Sequence, residues 1–93
     1  MNQLIKRTRR LERTVKGYAN HRRIEIMMLL EKQPELSVIE IAETLGVNFK
    51  TISEHTRRLA MAGIVLKRSD SSSVRHVLSV TGKLILKFLR TLE

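Results

Sequence analysis

Residues 48–59 read NFKTISEHTRRL, and this stretch decides the fold. Ile52 and Leu59 lie seven residues apart, so both fall on one face of a helix, while the other sides are polar or charged. Asn48 is a good N-cap, which predicts a helix from there to about residue 62. A helix with so polar an outer surface either faces solvent or contacts a polar partner.

A second, shorter helix is predicted immediately before this one. Ser37 and Glu40 form the pattern of a capping box, which opens a helix at about 38–45. Gly46 stands where a left-handed residue ends a helix. The turn over 46–48 then leads into the longer helix, and this spacing is typical of a helix-turn-helix.

The flanking sequence predicts a β-hairpin wing and three more helices. A turn rich in serine separates two short apolar runs, which indicates two antiparallel strands. The fold class is therefore mainly α with a small β-hairpin, a winged helix-turn-helix, in one domain over 1–93. The remaining predicted elements are a basic N-terminal helix over 2–17, a helix over 21–32 capped by Asn20, a wing over 64–80 with strands at 64–68 and 74–80, and a last helix over 82–92 capped by Thr81.

Composition narrows the classes of function. The chain has 93 residues, a net charge of +9, a pI of about 10.9 and no cysteine. Without cysteine it has neither disulfides nor thiolate metal ligands. No secretion signal or membrane-length apolar run is visible, so we expect a soluble, cytoplasmic protein that is not bound to a membrane. No nucleophile–base pair, carboxylate pair or glycine-rich phosphate loop suggests an enzyme.

The positive charge is concentrated at the two ends of the chain. Residues 1–23 hold eight basic residues and one acidic residue, and residues 67–93 hold six basic and two acidic residues. Residues 24–66 hold four basic and six acidic residues. A polyanion is therefore the expected partner, with nucleic acid ahead of an anionic membrane. The helix-turn-helix spacing makes double-stranded DNA the expected nucleic acid.

The polar face of the 48–62 helix supplies the candidate DNA contacts. Lys50 and Arg57 can pair with phosphates or with guanine edges, and Glu54 can accept from a cytosine amino group or orient neighbouring arginines. His55 on the flank can contact phosphate when protonated. Arg68 and Arg75 flank the turn of the wing, where they can contact the DNA backbone. The candidate DNA-binding residues are Asn48, whose side chain we expect to be used mainly as a cap, Lys50, Thr51, Ser53, Glu54, His55, Arg57, Arg58, Arg68 and Arg75.

The stretch TISEHTRRLAMAGIV resembles the recurrent TVSxHLxxLxxAGLV of the ArsR/SmtB-type winged-helix repressors. The resemblance covers roughly residues 20–82. It implies a winged helix-turn-helix that regulates transcription. Occlusion of polymerase by a small dimer favours repression over activation. Thr56 departs from the pattern, since the family usually has leucine there. We expect its hydroxyl to bond the carbonyl four residues back.

The resemblance does not extend to the family's metal chemistry. PELSVIEIAETLGV aligns with the ELCVCDL motif of the thiolate sensors, and Ser37 and Ile39 occupy the two cysteine positions. Residues 82–92 lack the Asp, His and Glu of the family's other metal site. His21, His55 and His76 are isolated in sequence. We therefore expect no metal and no cofactor, and the sequence leaves any effector unknown.

The resemblance also implies a homodimer formed by the first and last helices. The apolar residues there exceed what one small domain can readily cover. A two-fold dimer would read an inverted repeat. The predicted dimerisation residues are Leu4, Leu11, Val15, Phe88, Leu89 and Leu92.

Two other functions remain open. A winged helix can serve as a protein-interaction module, in which case reversing the charges of Lys50 and Arg57 should leave function intact. The basic helix over 2–17 can also bind nucleic acid without sequence preference. The function predicted first is a sequence-specific double-stranded DNA-binding regulator.

Overall fold

The computed structural model describes residues 2–93, and it confirms the winged helix-turn-helix. Helices α3 and α4 form the helix-turn-helix, and the two strands form an antiparallel hairpin after it. The elements are α1 (Asn2–Tyr18), α2 (His21–Lys32), α3 (Val38–Leu45), α4 (Phe49–Met61), β1 (Val65–Ser69), β2 (Val74–Leu78) and α5 (Val80–Arg90).

The predicted caps of α2, α3 and α4 are all present. Asn20 accepts backbone hydrogen bonds at the start of α2. Ser37 and Glu40 form the reciprocal capping box of α3, and Gly46 ends that helix at φ 67°. Asn48 caps α4. These local signals fix the angle at which α4 leaves the turn.

The prediction that Thr81 caps the last helix is wrong. Ser79 is the N-cap, because its hydroxyl accepts from the backbone N–H of Gly82 at 3.0 Å. The same hydroxyl lies within hydrogen-bond distance of the carbonyls of Gly63 and Ile64. These contacts fasten the start of α5 to the start of the wing, and β2 consequently ends at Leu78 rather than at residue 80.

A third backbone segment joins the wing. Leu36, just before α3, forms an isolated antiparallel bridge with His76 of β2. The N–H of His76 donates to the carbonyl of Leu36 at 2.9 Å, and the N–H of Glu35 donates to the carbonyl of His76 at 3.0 Å. The wing is therefore connected directly to the segment that enters the helix-turn-helix.

The core lies between α2, α3, α4, the base of the wing and α5. Helix α2 carries a run of apolar residues, and Ile26, Met27 and Leu30 of this run are buried. Burying each such side chain contributes about 1.5–3 kcal/mol. The fully enclosed side chains from other elements are Ile41, Ile52, Leu59, Ile64 and Leu86.

Helix α1 touches the rest of the domain mainly at its C-terminal end. Gly17 is buried there, and a Cβ at this position would overlap the Cβ of Ala62 at the end of α4. Tyr18 packs at the edge of the core. Most of α1 before Gly17 is exposed, so the helix projects from the domain.

Candidate nucleic-acid interface

Helix α4 divides into a buried and an exposed face as its sequence predicts. Ile52 and Leu59 are fully buried and hold the helix against the core. On the opposite side Lys50, Thr51 and Glu54 are exposed, as are Arg57 and Arg58. Ser53, by contrast, is half-buried at the border of the two faces. The exposed face is a polar surface on a rigidly anchored helix.

The first turn of α4 has two exposed side chains next to its cap. The Oδ1 atom of Asn48 accepts from the backbone N–H of Lys50 at 2.7 Å and of Thr51 at 3.4 Å. Within residues 2–93, no hydrogen bond or ion pair holds the Lys50 ammonium. The Asn48 side chain is thus used for capping, while Lys50 is available to a partner.

Phe49 is a further exposed residue of this turn that the sequence reasoning missed. Its side chain is 50% exposed and stands directly before Lys50. Single exposed apolar side chains are common on protein surfaces, so Phe49 is a candidate contact because of its place in the first turn of α4. Its position as the first residue after the Asn48 cap could have identified Phe49 as a candidate contact from the sequence.

Glu54 holds two arginines on the exposed face of α4. Arg57 donates to it twice, from Nε at 2.9 Å and from Nη2 at 2.6 Å. Arg58 donates from Nε at 3.1 Å. Hydrogen bonds from Arg57 and then Arg58 lower the pKa of Glu54 to about 2. Of the two predicted roles of Glu54, orienting the arginines is the one that these contacts display.

The phosphate contact predicted for His55 is disfavoured by its surroundings. Its Nδ1 accepts a hydrogen bond from Nε of Arg23 on α2 at 3.1 Å. Partial burial, followed by the nearby charge of Arg23, lowers the pKa of His55. The neutral ring is therefore favoured, whereas the predicted contact required a protonated one. The sequence could not reveal this because Arg23 lies in another helix.

The wing arginines bind groups of the protein itself. The guanidinium of Arg68 forms an ion pair with Glu35. Arg75 donates to Asp70 at 2.8 Å and to the carbonyl of Glu35 at 2.9 Å. Arg68 and Arg75 are also direct cross-strand partners. These pairs brace the hairpin, a role that the sequence did not suggest.

Comparison with known proteins gives the family. The model of the bacterial regulatory protein arsR family matches residues 20–67, which is just over half of the chain and contains α2, α3, α4 and the start of the wing. The chain belongs to this family. It is accordingly a DNA-binding transcriptional regulator and not an enzyme. No curated protein sequence matches the chain significantly.

Solved structures of arsR-type regulators share the whole fold. HlyU from Vibrio cholerae is 30% identical with a TM-score of 0.80, and the match covers 94% of this chain and 95% of HlyU. A homodimeric winged helix-turn-helix DNA-binding domain from Mycobacterium bovis, described as a possible ArsR-family regulator, is 24% identical with a TM-score of 0.89, over 99% and 85% of the two chains. The transcriptional repressor BigR from Xylella fastidiosa is 22% identical with a TM-score of 0.77, over 98% and 90%.

Thr56, which departs from the usual arsR-family leucine, is buried as predicted. Its exposed fraction is 1%. The hydroxyl donates to the carbonyl of Ser53 at 2.9 Å, three residues back rather than the predicted four. The donor is satisfied within the helix, so the polar atom does not disturb the core.

The family's metal-sensing positions lie near the start of α3. Ser37 is used as the cap and Ile39 is 57% exposed. Within residues 2–93, no group of three or more His, Cys, Asp or Glu side chains is placed to hold a metal ion. Among the same residues, no helix is long and apolar enough to cross a bilayer.

His76 has a packing role in this arsR-family domain. It is 1% exposed, and its Nδ1 lies 2.9 Å from the carbonyl of Leu36. Its Nε2 is buried and has no hydrogen-bond partner among residues 2–93. Burial lowers the pKa of His76, so the neutral ring is favoured. His21, in contrast, is exposed at the start of α2.

The predicted dimerisation residues are mostly exposed in the single chain. On α1, the exposed fractions of Leu4, Leu11 and Val15 are 55%, 62% and 47%. On α5, those of Phe88 and Leu92 are 56% and 67%, whereas Leu89 packs partly against the core. Ile5 and Leu84, which the sequence analysis did not select, are also exposed.

Proposed function

We propose that the protein represses transcription as a homodimer that reads an inverted repeat in double-stranded DNA through α4. The observation that carries this proposal is the division of α4 into a fully buried face, held by Ile52 and Leu59, and an exposed polar face. A rigidly anchored helix with an exposed polar side fits the major groove. The family and the M. bovis homodimer support the same reading.

The first turn of α4 supplies the base and phosphate contacts. Lys50 extends freely and can donate to guanine O6 and N7 or to a phosphate. Phe49 adds an apolar contact suited to a thymine methyl group. Thr51 donates to a phosphate or a base edge, and the half-buried Ser53 can donate in the same way. Asn48 acts indirectly, by capping the helix.

The next turns of α4 contribute oriented charge. Glu54 holds Arg57 and Arg58 in fixed directions. A preordered guanidinium loses less side-chain entropy when it binds a guanine edge or a phosphate. His55 is omitted from the proposed contacts because its ring nitrogen is already used by Arg23.

The wing contributes through its shape and its outer surface. Arg68 and Arg75 keep their protein partners on one side, and their remaining N–H groups are partly exposed for a DNA phosphate. The proposed role of these two residues is thus to hold the hairpin in position and to contact the backbone secondarily.

The dimer is proposed to use the apolar faces of α1 and α5. Exposed apolar side chains on both helices would be costly in a monomer. A two-fold axis would set two copies of α4 about one helical turn of DNA apart, roughly 34 Å. We place this regulator in the bacterial cytoplasm, since its proposed target is chromosomal DNA.

Repression is proposed over activation because a small dimer bound at a promoter blocks access to it. BigR, a relative in fold, is itself described as a transcriptional repressor. The alternative functions are a protein-interaction module and non-specific nucleic-acid binding through α1. Neither alternative requires the exposed face of α4.

The decisive experiment selects bound duplexes from a random pool. We expect an enriched inverted repeat with half-sites about one turn apart. Lys50→Ala should abolish enrichment, whereas Lys87→Ala, which removes the same charge from α5, should preserve it. Enrichment without symmetry or without sequence preference would contradict the proposal, and so would equal binding by both variants.

A further inference from the structure

A groove of about 380 Å³ lies between the C-terminal part of α1 and the exposed face of α4. Met61 and Ala62 line it near the point where Gly17 contacts α4. Five cationic side chains surround it. They are Arg13, Lys16, Arg23, Arg57 and Arg58.

Carboxylates compensate only part of this charge. Glu54 is shared by Arg57 and Arg58, and Glu12 lies 3.3 Å from the ammonium of Lys16. Among residues 2–93, these two carboxylates pair with three of the five cations, and neither Arg13 nor Arg23 forms an ion pair. Partial burial, followed by the nearby charge of Arg58, lowers the pKa of Arg23.

Hydrogen-bond donors remain available around the groove. Among residues 2–93, no acceptor binds the guanidinium of Arg13, and Arg58 uses only its Nε. Arg23 is held in place by the carbonyls of Lys16 and Gly17. Fixed and free donors around one concavity are suited to an oxyanion.

The groove also lies away from the proposed dimer contact. Arg13 and Lys16 continue a line with Lys6 and Arg9, at spacings of three and four residues, along one side of α1. The apolar residues of the same helix occupy the other side, so a second copy packed on them would leave the basic side open. The apolar residues meant here are Leu4, Leu11 and Val15.

We propose that this groove binds a phosphate group. Two sources can bring one: the backbone of the DNA duplex bound by α4, or a small phosphorylated ligand. The first source rests on the proposed function and would extend the DNA interface from α4 onto α1. The second is independent of it, and the volume falls in the range of small-ligand sites.

The test compares two double variants of the full chain. Arg13→Gln with Lys16→Gln removes two charges from the groove. Arg7→Gln with Arg10→Gln removes two charges from the same helix outside the groove. All four side chains are exposed, so both variants should melt at the wild-type temperature. Each protein is titrated with inorganic pyrophosphate at constant ionic strength, and with its selected duplex across a salt series.

The backbone source predicts that only the groove variant binds the duplex more weakly. The slope of log affinity against log salt should then be shallower by about 0.9 for each lost phosphate contact, with sequence preference unchanged. The free-ligand source predicts saturable pyrophosphate binding by wild type that only the groove variant loses. This second result can appear even if wild type binds no duplex, in which case the proposed function alone fails.

Two results would overturn the proposal. One is equal weakening by both double variants, since that would mean diffuse attraction rather than a site. The other is unchanged duplex binding by the groove variant together with no saturable binding of pyrophosphate to wild type.

Discussion

Nε of Arg23 lies 3.1 Å from Nδ1 of His55, and this hydrogen bond joins α2 to the recognition helix α4. The same guanidinium also donates to the carbonyls of Lys16 and Gly17, where α1 ends. One side chain therefore connects three helices at the point where α4 meets the groove. The hydrogen bond requires an unprotonated Nδ1, which makes it sensitive to pH.

We predict that acid weakens the fold through His55. Its pKa in the folded protein is lowered from the ordinary value of about 6.5. Between these two values the unfolded chain binds the proton more readily, so the free energy of unfolding falls as pH falls below about 6.5 and is constant above about 7.5. Urea unfolding at pH 7.5 and 5.5 measures the loss.

His55→Gln should reduce this acid sensitivity, because an amide oxygen can accept from Arg23 without titrating. His76 has a pKa shifted in the same direction and remains in both proteins, so part of the acid loss should persist. A His55 ring that titrates above 6.5 by NMR would refute the prediction.

Glu54→Gln should increase affinity for arbitrary duplexes and reduce discrimination between duplexes. The substitution frees Arg57 and Arg58 from a shared carboxylate and removes one negative charge. We expect a steeper salt dependence, and a loss of about 1–3 kcal/mol of discrimination if an arginine reads a base bidentately. Fluorescence anisotropy with selected and scrambled duplexes measures both.

Glu93→Gln is the matched control for this experiment, since it removes the same charge at the end of the chain. It should leave discrimination unchanged. If Glu54→Gln kept full discrimination, the carboxylate would have no part in orienting the arginines.

Leu11→Gln with Phe88→Gln should convert the proposed dimer to a monomer. Both side chains are more than half exposed in the single chain, so the fold should survive while the interface is lost. Sedimentation equilibrium should then give the mass of one chain, 10.8 kDa. Leu66→Gln, on the wing and 54% exposed, should leave the wild-type mass unchanged. A wild-type protein that already sediments at 10.8 kDa would exclude the proposed dimer.

Substitutions on the buried face of α4 should lower stability, whereas those on its exposed face should weaken DNA binding. Ile52→Ala should destabilise the domain by about 2–5 kcal/mol, because the side chain is fully buried. Lys50→Ala should change stability by less than about 0.5 kcal/mol while weakening DNA binding. Urea unfolding and anisotropy on the same two proteins test the separation. An equal loss of stability in both would contradict it.

Gly17→Ala should destabilise the contact of α1 with α4 by about 1–3 kcal/mol, because its new Cβ would overlap that of Ala62. Combining it with Ala62→Gly should recover part of this loss by restoring the space. Thermal unfolding of the two single variants and the double variant measures the coupling. Additive losses would show that the two positions do not compete for the same volume.

The local parts of this fold could be predicted from sequence because short-range chemistry determines them. The capping box at Ser37 and the left-handed Gly46 act within four residues of themselves. The start of α5 could not be chosen correctly in this way, since Ser79 and Thr81 are both good caps. Contacts of Ser79 with Gly63 and Ile64, some fifteen residues away, favour the first.

The candidate site follows the same division. The inward and outward faces of α4 came directly from helical periodicity. The hydrogen-bond partners of the candidate contact residues could not be predicted, because they are distant in sequence. Arg68 pairs with Glu35, and His55 pairs with Arg23. The groove beside α1 could not be predicted from the sequence either, because it forms between α1 and α4, which are far apart in the chain.

The bridge between Leu36 and His76 holds the hairpin to the segment before α3 and leaves the hairpin tip outside that contact. Strand register is set at that bridge and at the braces from Glu35, while the tip over 70–73 closes on itself through Asp70. Loops of different length could therefore be grafted at residues 71–73 while Asp70 keeps its ion pair with Arg75. A series of such chimaeras would show how the length of the hairpin tip affects its contact with the DNA backbone.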